Sequence, residues 1–128
     1  DRFDLRVDIF RPDPAQLLHG EAGDATATVA RRVRAARARA SARGVVANAE
    51  LSGRALDERA PLSPAATRMV ERALTSGRLS ARGLRRVWRV ALTVADLAGD
   101  DPPLTDAHLA VALHLRQEPS FLAPRRAS

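Results

Sequence analysis

The hydrophobic pattern predicts one short strand at the start of the chain. In residues 3–10, FDLRVDIF, apolar residues alternate with charged ones, and a period of two is typical of a strand with one buried face. Pro12 and Pro14 end the pattern, because proline cannot continue a β-ladder. A single strand is not stable alone. We therefore expect its sheet to lie upstream of this chain, and the strand to be displaced, paired with a neighbouring chain or disordered.

From residue 24 onward, apolar residues recur every three or four positions, which predicts helices. Polar caps and terminal glycines divide this part of the chain into helical segments. These are expected between Asp24 and Gly44, near residues 54–59, between Ser63 and Gly77, between Ser80 and Gly99, and from Thr105 onward. Residues 45–53 are expected to be irregular or turn-like. The predicted fold class is mainly α, a helical bundle of four to five helices preceded by one N-terminal strand.

The first long helix is thinly apolar, and either Asp24 or Thr26 is placed to cap its start. Its narrow stripe of Val29, Val33, Ala36 and Ala40 predicts packing on one side only. Arginines between residues 31 and 43 cover much of the remaining surface, and this pattern indicates either phosphate-backbone binding or an ordinary solvated face. The candidate nucleic-acid contacts are Arg31, Arg34 and Arg39.

Residues 79–99, LSARGLRRVWRVALTVADLAG, predict a well-defined helix. Ser80 is the N-cap, and Leu79 and Leu84 are spaced as a hydrophobic staple. The predicted apolar face consists of Leu84, Val87, Trp88, Ala91, Val94, Ala95 and Ala98. The predicted core combines Val87 and Trp88 with Met69 of the preceding helix and Leu113 of the last one.

Arg82 lies in the first turn of that helix, where local electrostatics disfavours a cation. The positive end of the helix dipole lies there, and the penalty is about 0.3–1 kcal/mol. A phosphate in front of the helix would reverse the sign of this effect, because helix N-termini and arginine both favour anions. Arg82 is therefore either a candidate anion contact or an exposed residue tolerated at small cost.

Composition narrows the possible functions. The chain has 128 residues, which is enough for one domain, and it opens on Asp1 rather than Met, so we expect part of a longer protein. Cysteine is absent, which fits a reducing, cytoplasmic compartment. No apolar run approaches the ~20 residues of a membrane helix, so no membrane partner is expected.

All 21 basic residues are arginine, and the net charge is +6. A P-loop requires lysine, so this chain cannot be a complete P-loop ATPase.

Other catalytic chemistry is weakly indicated. His108 and His114 are six residues apart, which does not bring them together on a helix, and His19 lies in a predicted loop. No metal site is therefore expected. The acidic residues show no catalytic pair, and no serine-hydrolase motif is present.

Several stretches of the chain resemble a known family. DRFDL and the alternating strand resemble the end of the AAA+ core in magnesium chelatases and minichromosome maintenance helicases, where "RF" supplies an arginine finger. NAELSG (48–53), the helix at 62–77, the stretch at 79–99 and LTDAHLAVALHLR (104–116) resemble the C-terminal lid of magnesium-chelatase-like AAA+ proteins of the ComM type. "SAR" at a helix start is the sensor-2 signature of that family. The resemblance extends from Asp1 to about Arg116.

The resemblance implies roles for Arg2 and Arg82. Arg2 corresponds to the arginine finger, which reaches the γ-phosphate of ATP held by a neighbouring subunit. Arg82 corresponds to sensor 2, which also faces the γ-phosphate, in its own subunit or across the interface. The strand then belongs to an α/β core. ATP and Mg²⁺ are expected in the parent protein, held mainly by that core, and none in this piece alone.

The expected organisation is the end of the AAA+ core at residues 1–14, a helical lid at 15–117 and a flexible tail at 118–128. The implied partners are the upstream core, the neighbouring subunits of a ring and, in the ComM branch of the family, DNA during branch migration. The chelatase branch instead drives metal insertion into a porphyrin. The alternatives are a stand-alone helical nucleic-acid-binding module that uses the arginine-rich helix at 31–43, and a purely structural interaction domain.

Overall fold

A computed structural model describes residues 3–116 of the chain, and in this part the protein is a bundle of α-helices. The helices are α1 (Pro14–His19), α2 (Thr26–Ala42), α3 (Gly53–Arg59), α4 (Pro64–Thr75), α5 (Ala81–Ala98) and α6 (Asp106–Arg116). A 3₁₀ turn at Asn48–Glu50 separates α2 from α3. The mainly helical fold predicted from the pattern is confirmed. Within residues 3–116, no helix combines the length and apolar character that crossing a membrane requires.

The predicted strand does not form. Residues 3–10 have no regular secondary structure, and their apolar side chains are between 50% and 92% exposed. The segment lies against the bundle, and its contacts there include two between described residues: the Arg6 amide donates to the Leu115 carbonyl at 2.6 Å, and Asp4 lies 3.6 Å from the Arg86 guanidinium. The alternating pattern had indicated a strand, but a ladder needs a partner strand, and the described part of the chain offers none.

The pattern also missed α1. The Asp13 carboxylate accepts the Gln16 amide at 2.7 Å, and Pro14 occupies the first helical position. This local capping is enough to form one short helix after the RPDP stretch. No α1 side chain is buried, so α1 has no apolar periodicity that would have predicted it.

Helix α2 is packed over only part of its length. Its N-cap is Ala25, whose side chain cannot cap, so the predicted caps Asp24 and Thr26 are wrong. The predicted end at Gly44 is confirmed, because Gly44 adopts a φ of 82° there. Ala36 and Ala40 of the predicted stripe are buried, whereas its N-terminal members are 42% (Val29) and 37% (Val33) exposed.

Serine caps determine where the central helices begin, as predicted. The hydroxyls of Ser63 and Ser80 accept the amides of Ala66 and Gly83 at 3.1 Å and 3.0 Å. Ser52 caps α3 in the same way. A serine cap contributes about 1 kcal/mol to helix stability, and this local interaction explains why these boundaries are readable from sequence.

Helix α5 is the centre of the bundle: α2, α3, the 3₁₀ turn and α6 pack on it, and α4 packs on α6. Val87 and Trp88 are buried as predicted, and the Trp88 indole N–H donates to the Ala60 carbonyl at 2.8 Å. Met69 and Leu113 are only half-buried, at the edge of this core.

The buried face of α5 is rotated relative to the predicted one. Leu92, absent from the predicted face, is 0% exposed, whereas Ala98 is exposed. Because α5 has neighbours on several sides, the single-face assumption behind the helical pattern does not hold for it.

The α3–α4 and α5–α6 connections also meet: Leu104 donates its amide to the Pro61 carbonyl at 2.8 Å and is itself fully buried.

We predict that Leu92→Ala destabilises the domain by about 2–5 kcal/mol, because it removes a fully buried side chain and leaves a cavity. Leu97→Ala is the matched control, since Leu97 lies on the same helix and is 38% exposed. Urea unfolding followed by circular dichroism measures both. Equal losses of free energy of unfolding in the two variants would show that α5 is not buried as described.

Candidate functional site

The first turn of α5 carries a cation that makes no contact within the described part of the chain. The Ser80 hydroxyl accepts the Gly83 amide, and the Ser80 carbonyl accepts the Leu84 amide at 2.8 Å. The remaining amides of a first helical turn project from the helix end without helical partners. Arg82 is exposed at this end, and it forms no hydrogen bond or ion pair with any residue from 3 to 116.

The other arginines of α5 are used within the molecule. Their contacts are Arg85 to Asp57 at 3.1 Å, Arg86 to Asp4 at 3.6 Å and Arg89 to the Leu51 carbonyl at 2.9 Å. Arg85 also lies 5.3 Å from the centre of the Trp88 ring. Each of these arginines therefore contacts a segment that packs beside α5. Among the α5 arginines, Arg82 alone has no partner in residues 3–116.

A second guanidinium lies at the same helix end. Gly83 is buried, and a Cβ atom at this position would lie 3.1 Å from Nη2 of Arg116 and 3.2 Å from Cδ1 of Leu79. Arg116, in the last turn of α6, therefore approaches the first turn of α5 where glycine leaves room for it. Arg116 was not among the site residues predicted from the sequence. Only the packing of α6 on α5 brings the two segments together.

The arginines predicted on α2 separate into two groups. Arg31 and Arg34 are exposed, and the one bond of Arg34 is from its Nε to the Ala30 carbonyl at 3.4 Å, within its own helix. Arg39 instead donates to the Gly99 carbonyl at 2.9 Å and to the Asp101 carboxylate at 2.8 Å. Arg39 thus holds α2 against the C-terminal end of α5, and its guanidinium is already occupied.

The predicted site residues do not form one site. Arg39 lies at the C-terminal end of α5 and Arg82 at its N-terminal end, and the 18 residues of α5 span about 27 Å. Arg2, the predicted arginine finger, lies outside the described residues. The structure therefore separates the candidate anion contact of Arg82 from the arginines of α2.

A buried polar cluster joins α2, the 3₁₀ turn and α5. The Arg43 guanidinium makes two hydrogen bonds to the Asp96 carboxylate, at 2.7 Å and 2.5 Å. The Asn48 amide donates to Asp96 at 2.8 Å and to the Thr93 hydroxyl at 3.0 Å. The Asp96 side chain is only 1% exposed. Paired and hydrogen-bonded in this way, the buried carboxylate determines how α2 packs on α5.

This buried cluster was not predicted from the sequence. Asp96 is a lone acid beside an apolar helical face, and Asn48 belongs to the irregular segment. A carboxylate buried beside an apolar face needs a charged or hydrogen-bonding partner. The position of Asp96 on the helix is therefore the one sequence signal that could have indicated a buried polar cluster.

Comparison with known proteins identifies the family. The family described as magnesium chelatase, subunit ChlI C-terminal, matches residues 23–116. This chain belongs to that family. The matched residues include α2 to α6, and with them Arg82, the buried cluster around Asp96 and Arg116. The resemblance to magnesium-chelatase-like proteins is thereby confirmed.

Curated relatives support the same assignment. Rv2897c of Mycobacterium tuberculosis, an uncharacterized protein, is 41% identical over 121 residues, and YifB of Salmonella typhimurium is 37% identical over 117 residues. Competence protein ComM of Haemophilus influenzae is 31% identical over 117 residues. Each alignment covers 91% of this chain but only 23–24% of the relative, so the chain spans about a quarter of their length. No solved structure matches the chain.

The buried histidine of this domain has a capping role. Thr105 caps α6 as predicted, since its hydroxyl accepts the His108 amide at 3.4 Å, and His108 Nδ1 accepts the Thr105 amide at 3.1 Å. This pair is reciprocal, as in a capping box. With Nδ1 as the acceptor of this bond, Nε2 is the ring nitrogen that faces the Asp100 carboxylate, at 2.8 Å. Within residues 3–116, no three His, Cys, Asp or Glu side chains are placed to hold a metal ion.

We predict that Asp96→Ala destabilises this domain by about 3–5 kcal/mol, because it leaves the Arg43 guanidinium largely buried without its carboxylate. Asp101→Ala is the control, since the Asp101 side chain is 86% exposed beside Arg39; its loss costs less than about 1 kcal/mol. Chemical unfolding measures both variants. Similar small losses in both would rule out a dominant role for the cluster.

Proposed function

We propose that this chain is the C-terminal lid of a magnesium-chelatase-like AAA+ ATPase, and that Arg82 is its sensor-2 arginine. The observation that carries the proposal is the isolation of Arg82. It occupies the first turn of a serine-capped helix, and it alone among the α5 arginines has no partner in the described part of the chain. Family membership supports the assignment.

Electrostatics explains why a nucleotide would be bound at this end of α5. The unpaired amides and the dipole of a helix N-terminus attract anions, and arginine binds phosphate oxygens through parallel hydrogen bonds. Without an anion, Arg82 opposes the helix dipole. The γ-phosphate of ATP would remove this conflict and supply the missing acceptor. Arg116, which packs against Gly83, adds a second positive charge at the same helix end.

We propose that Arg2 acts as the arginine finger on ATP bound by a neighbouring subunit. The support is the resemblance of DRFDL to the end of the AAA+ core. An arginine that stabilises the charge developing on the γ-phosphate contributes about 10³–10⁵ in rate. The two arginines would then act on the same phosphate, one from the core boundary and one from the lid.

The remaining catalytic parts are assigned to the upstream core of the parent protein. This chain contains no lysine, so it has no P-loop of its own. Its relatives are about four times longer than the part it matches. We therefore propose that the core holds ATP and Mg²⁺, that the lid senses the nucleotide, and that neighbouring subunits of a ring contact both.

We further propose that the parent is a DNA-remodelling motor of the competence or branch-migration type, acting in the cytoplasm, where ATP and the chromosome are available. The support is the relationship to a protein named competence protein ComM. Stimulation of ATP hydrolysis by branched DNA supports this substrate. Stimulation by a metal and a porphyrin acceptor instead would assign the parent to the chelatase branch.

We predict that Arg82→Ala in the full-length parent lowers ATP hydrolysis at least tenfold, because a charge that stabilises the transition state is lost. The circular dichroism spectrum should not change, since Arg82 makes no contact in residues 3–116. Arg72→Ala is the control, because Arg72 is an exposed arginine on α4; its turnover should stay within twofold of wild type. Wild-type turnover in Arg82→Ala would end the sensor-2 assignment.

We predict that Arg2→Ala abolishes hydrolysis by the parent and that activity returns on mixing with a second variant. That second variant lacks the P-loop lysine of its own core but retains Arg2. In a mixed ring, the intact ATP site of an Arg2→Ala subunit receives Arg2 from its neighbour, so hydrolysis is restored. Steady-state phosphate release measures the rescue. If mixing restores nothing while both variants assemble into rings, Arg2 does not act across the subunit interface.

A further inference from the structure

The register of α2 on α5 leaves the first half of α2 beyond the end of the bundle. Arg43 bonds Asp96 in the last turn of α5, and Arg39, one turn earlier on α2, bonds the carbonyl of Gly99, the residue that caps the C-terminal end of α5. The two helices are therefore antiparallel, and their contact ends where α5 ends. The preceding residues 26–35 extend about 15 Å past this junction.

Exposure confirms the overhang. All of residues 26–35 are exposed except the half-buried Ala30, and burial begins only at Ala36. The side of α2 that packs on α5 continues into the overhang as Val29 and Val33, which are left largely uncovered. Packing on the bundle therefore does not account for the arginines placed on this part of the helix.

Two arginines of this overhang, together with Arg37 just after it, form one ridge. Arg31, Arg34 and Arg37 follow each other at a spacing of three residues, so they lie along one side of α2. All three are exposed, and none has a carboxylate partner in residues 3–116. In the described part of the chain, α2 is the one helix that carries arginines and no acidic residue. We call these three residues the arginine ridge.

We propose that the arginine ridge binds the phosphodiester backbone of a nucleic-acid duplex. The three side chains follow about 9 Å of the helix axis, and a duplex presents one negative charge per about 1.7 Å of its own axis. Guanidinium groups bind phosphate oxygens in a planar, two-pronged way. The neighbouring residues on this side, Ala27 and Ala38, are small, so the backbone can approach the helix closely.

The composition of α2 favours a duplex over the other anionic partners. Single-stranded nucleic acid is bound through bases stacked on aromatic rings, and α2 contains no aromatic residue. Protein interfaces centre on buried aromatic or aliphatic anchors. The ridge has no such anchor. The residues between its arginines are Arg32, Val33, Ala35 and Ala36, and Val33 and Ala36 belong to the side of α2 that faces the bundle. The contact is therefore electrostatic and independent of base sequence.

This inference does not rest on the role of Arg82, which lies at the opposite end of the domain. The structure also changes which arginines of α2 are candidates for nucleic-acid contact. Arg39 is occupied by the end of α5, and Arg37 takes its place beside Arg31 and Arg34. Arg43 is excluded in the same way, since it pairs with Asp96.

The test is fluorescence anisotropy with a labelled 30-base-pair DNA duplex and the 128-residue chain at several salt concentrations. A triple variant, Arg31→Gln, Arg34→Gln and Arg37→Gln, removes the ridge and keeps the helix, because glutamine and arginine have similar helix propensity. The matched control, Arg68→Gln, Arg72→Gln and Arg78→Gln, removes the same charge from three exposed arginines elsewhere. Circular dichroism verifies that both variants fold.

We expect wild-type binding in the range of about 10⁻⁴–10⁻⁶ M, with affinity falling roughly 40-fold between 50 mM and 200 mM salt if three phosphates are contacted. The ridge variant should bind at least tenfold more weakly at 50 mM salt, and its log–log salt slope should be shallower by about 2.7. The control variant should lose less than threefold. Arg82→Ala should bind the duplex with wild-type affinity. Loss of duplex binding in the ridge variant can then be distinguished from loss of ATP hydrolysis in Arg82→Ala.

Three outcomes would overturn the proposal. Equal losses in the ridge and control variants would show that only net charge matters. Competition by polyglutamate as strong as that by duplex of equal charge would assign the ridge to an acidic protein. Absence of wild-type binding at 50 mM salt would show that the ridge is a solvated face.

Discussion

The ion pair between Arg43 and Asp96 determines how the rest of this domain is arranged. It is buried, doubly hydrogen-bonded and shared with the Asn48 amide, so it can form in only one register of α2 against α5. That register brings Arg39 to the carbonyls at the end of α5, which are the groups a helix end leaves unbonded. It also decides where α2 leaves the bundle. Burial of such a pair contributes little net stability, but a mismatched register would leave a charge unpaired in the core at a cost of several kcal/mol.

The central helix α5 separates two chemically different ends. Its N-terminal end carries Arg82 and the neighbouring Arg116, and it is the proposed nucleotide contact. Its C-terminal end is enclosed by Arg39, His108 and the turn of Asp100 and Asp101. Beyond this second end lies the arginine ridge of α2. If both proposals hold, the lid would sense ATP at one end of a rigid helix and contact the nucleic-acid backbone at the other, about 27 Å or more away.

The arginines illustrate how packing sorts chemically identical residues. On α5, three arginines tie neighbouring segments to the helix, and one remains without a partner in residues 3–116. On α2, two arginines hold the register, and a spacing of three residues leaves a separate ridge in solvent. The arginine-rich composition of the chain hides this division. Among the arginines of α2 and α5, those proposed to bind phosphate are the ones that packing leaves exposed.

The sequence by itself determined the mainly helical fold, the family, the serine caps at Ser63 and Ser80, and the glycine end of α5, because capping and periodicity depend on residues within one turn of each other. It also singled out Arg82, since a cation at a helix start conflicts with the local dipole. The tertiary structure alone decided that Leu92 is core, that Asp96 is buried and paired, and that Arg39 is occupied. The partners of Asp96 and Arg39 lie 48 or more residues away along the chain, and Leu92 is buried in a core that several elements form together. It also decided that residues 3–10 form no strand, since a strand depends on hydrogen-bonding partners that its own sequence does not contain.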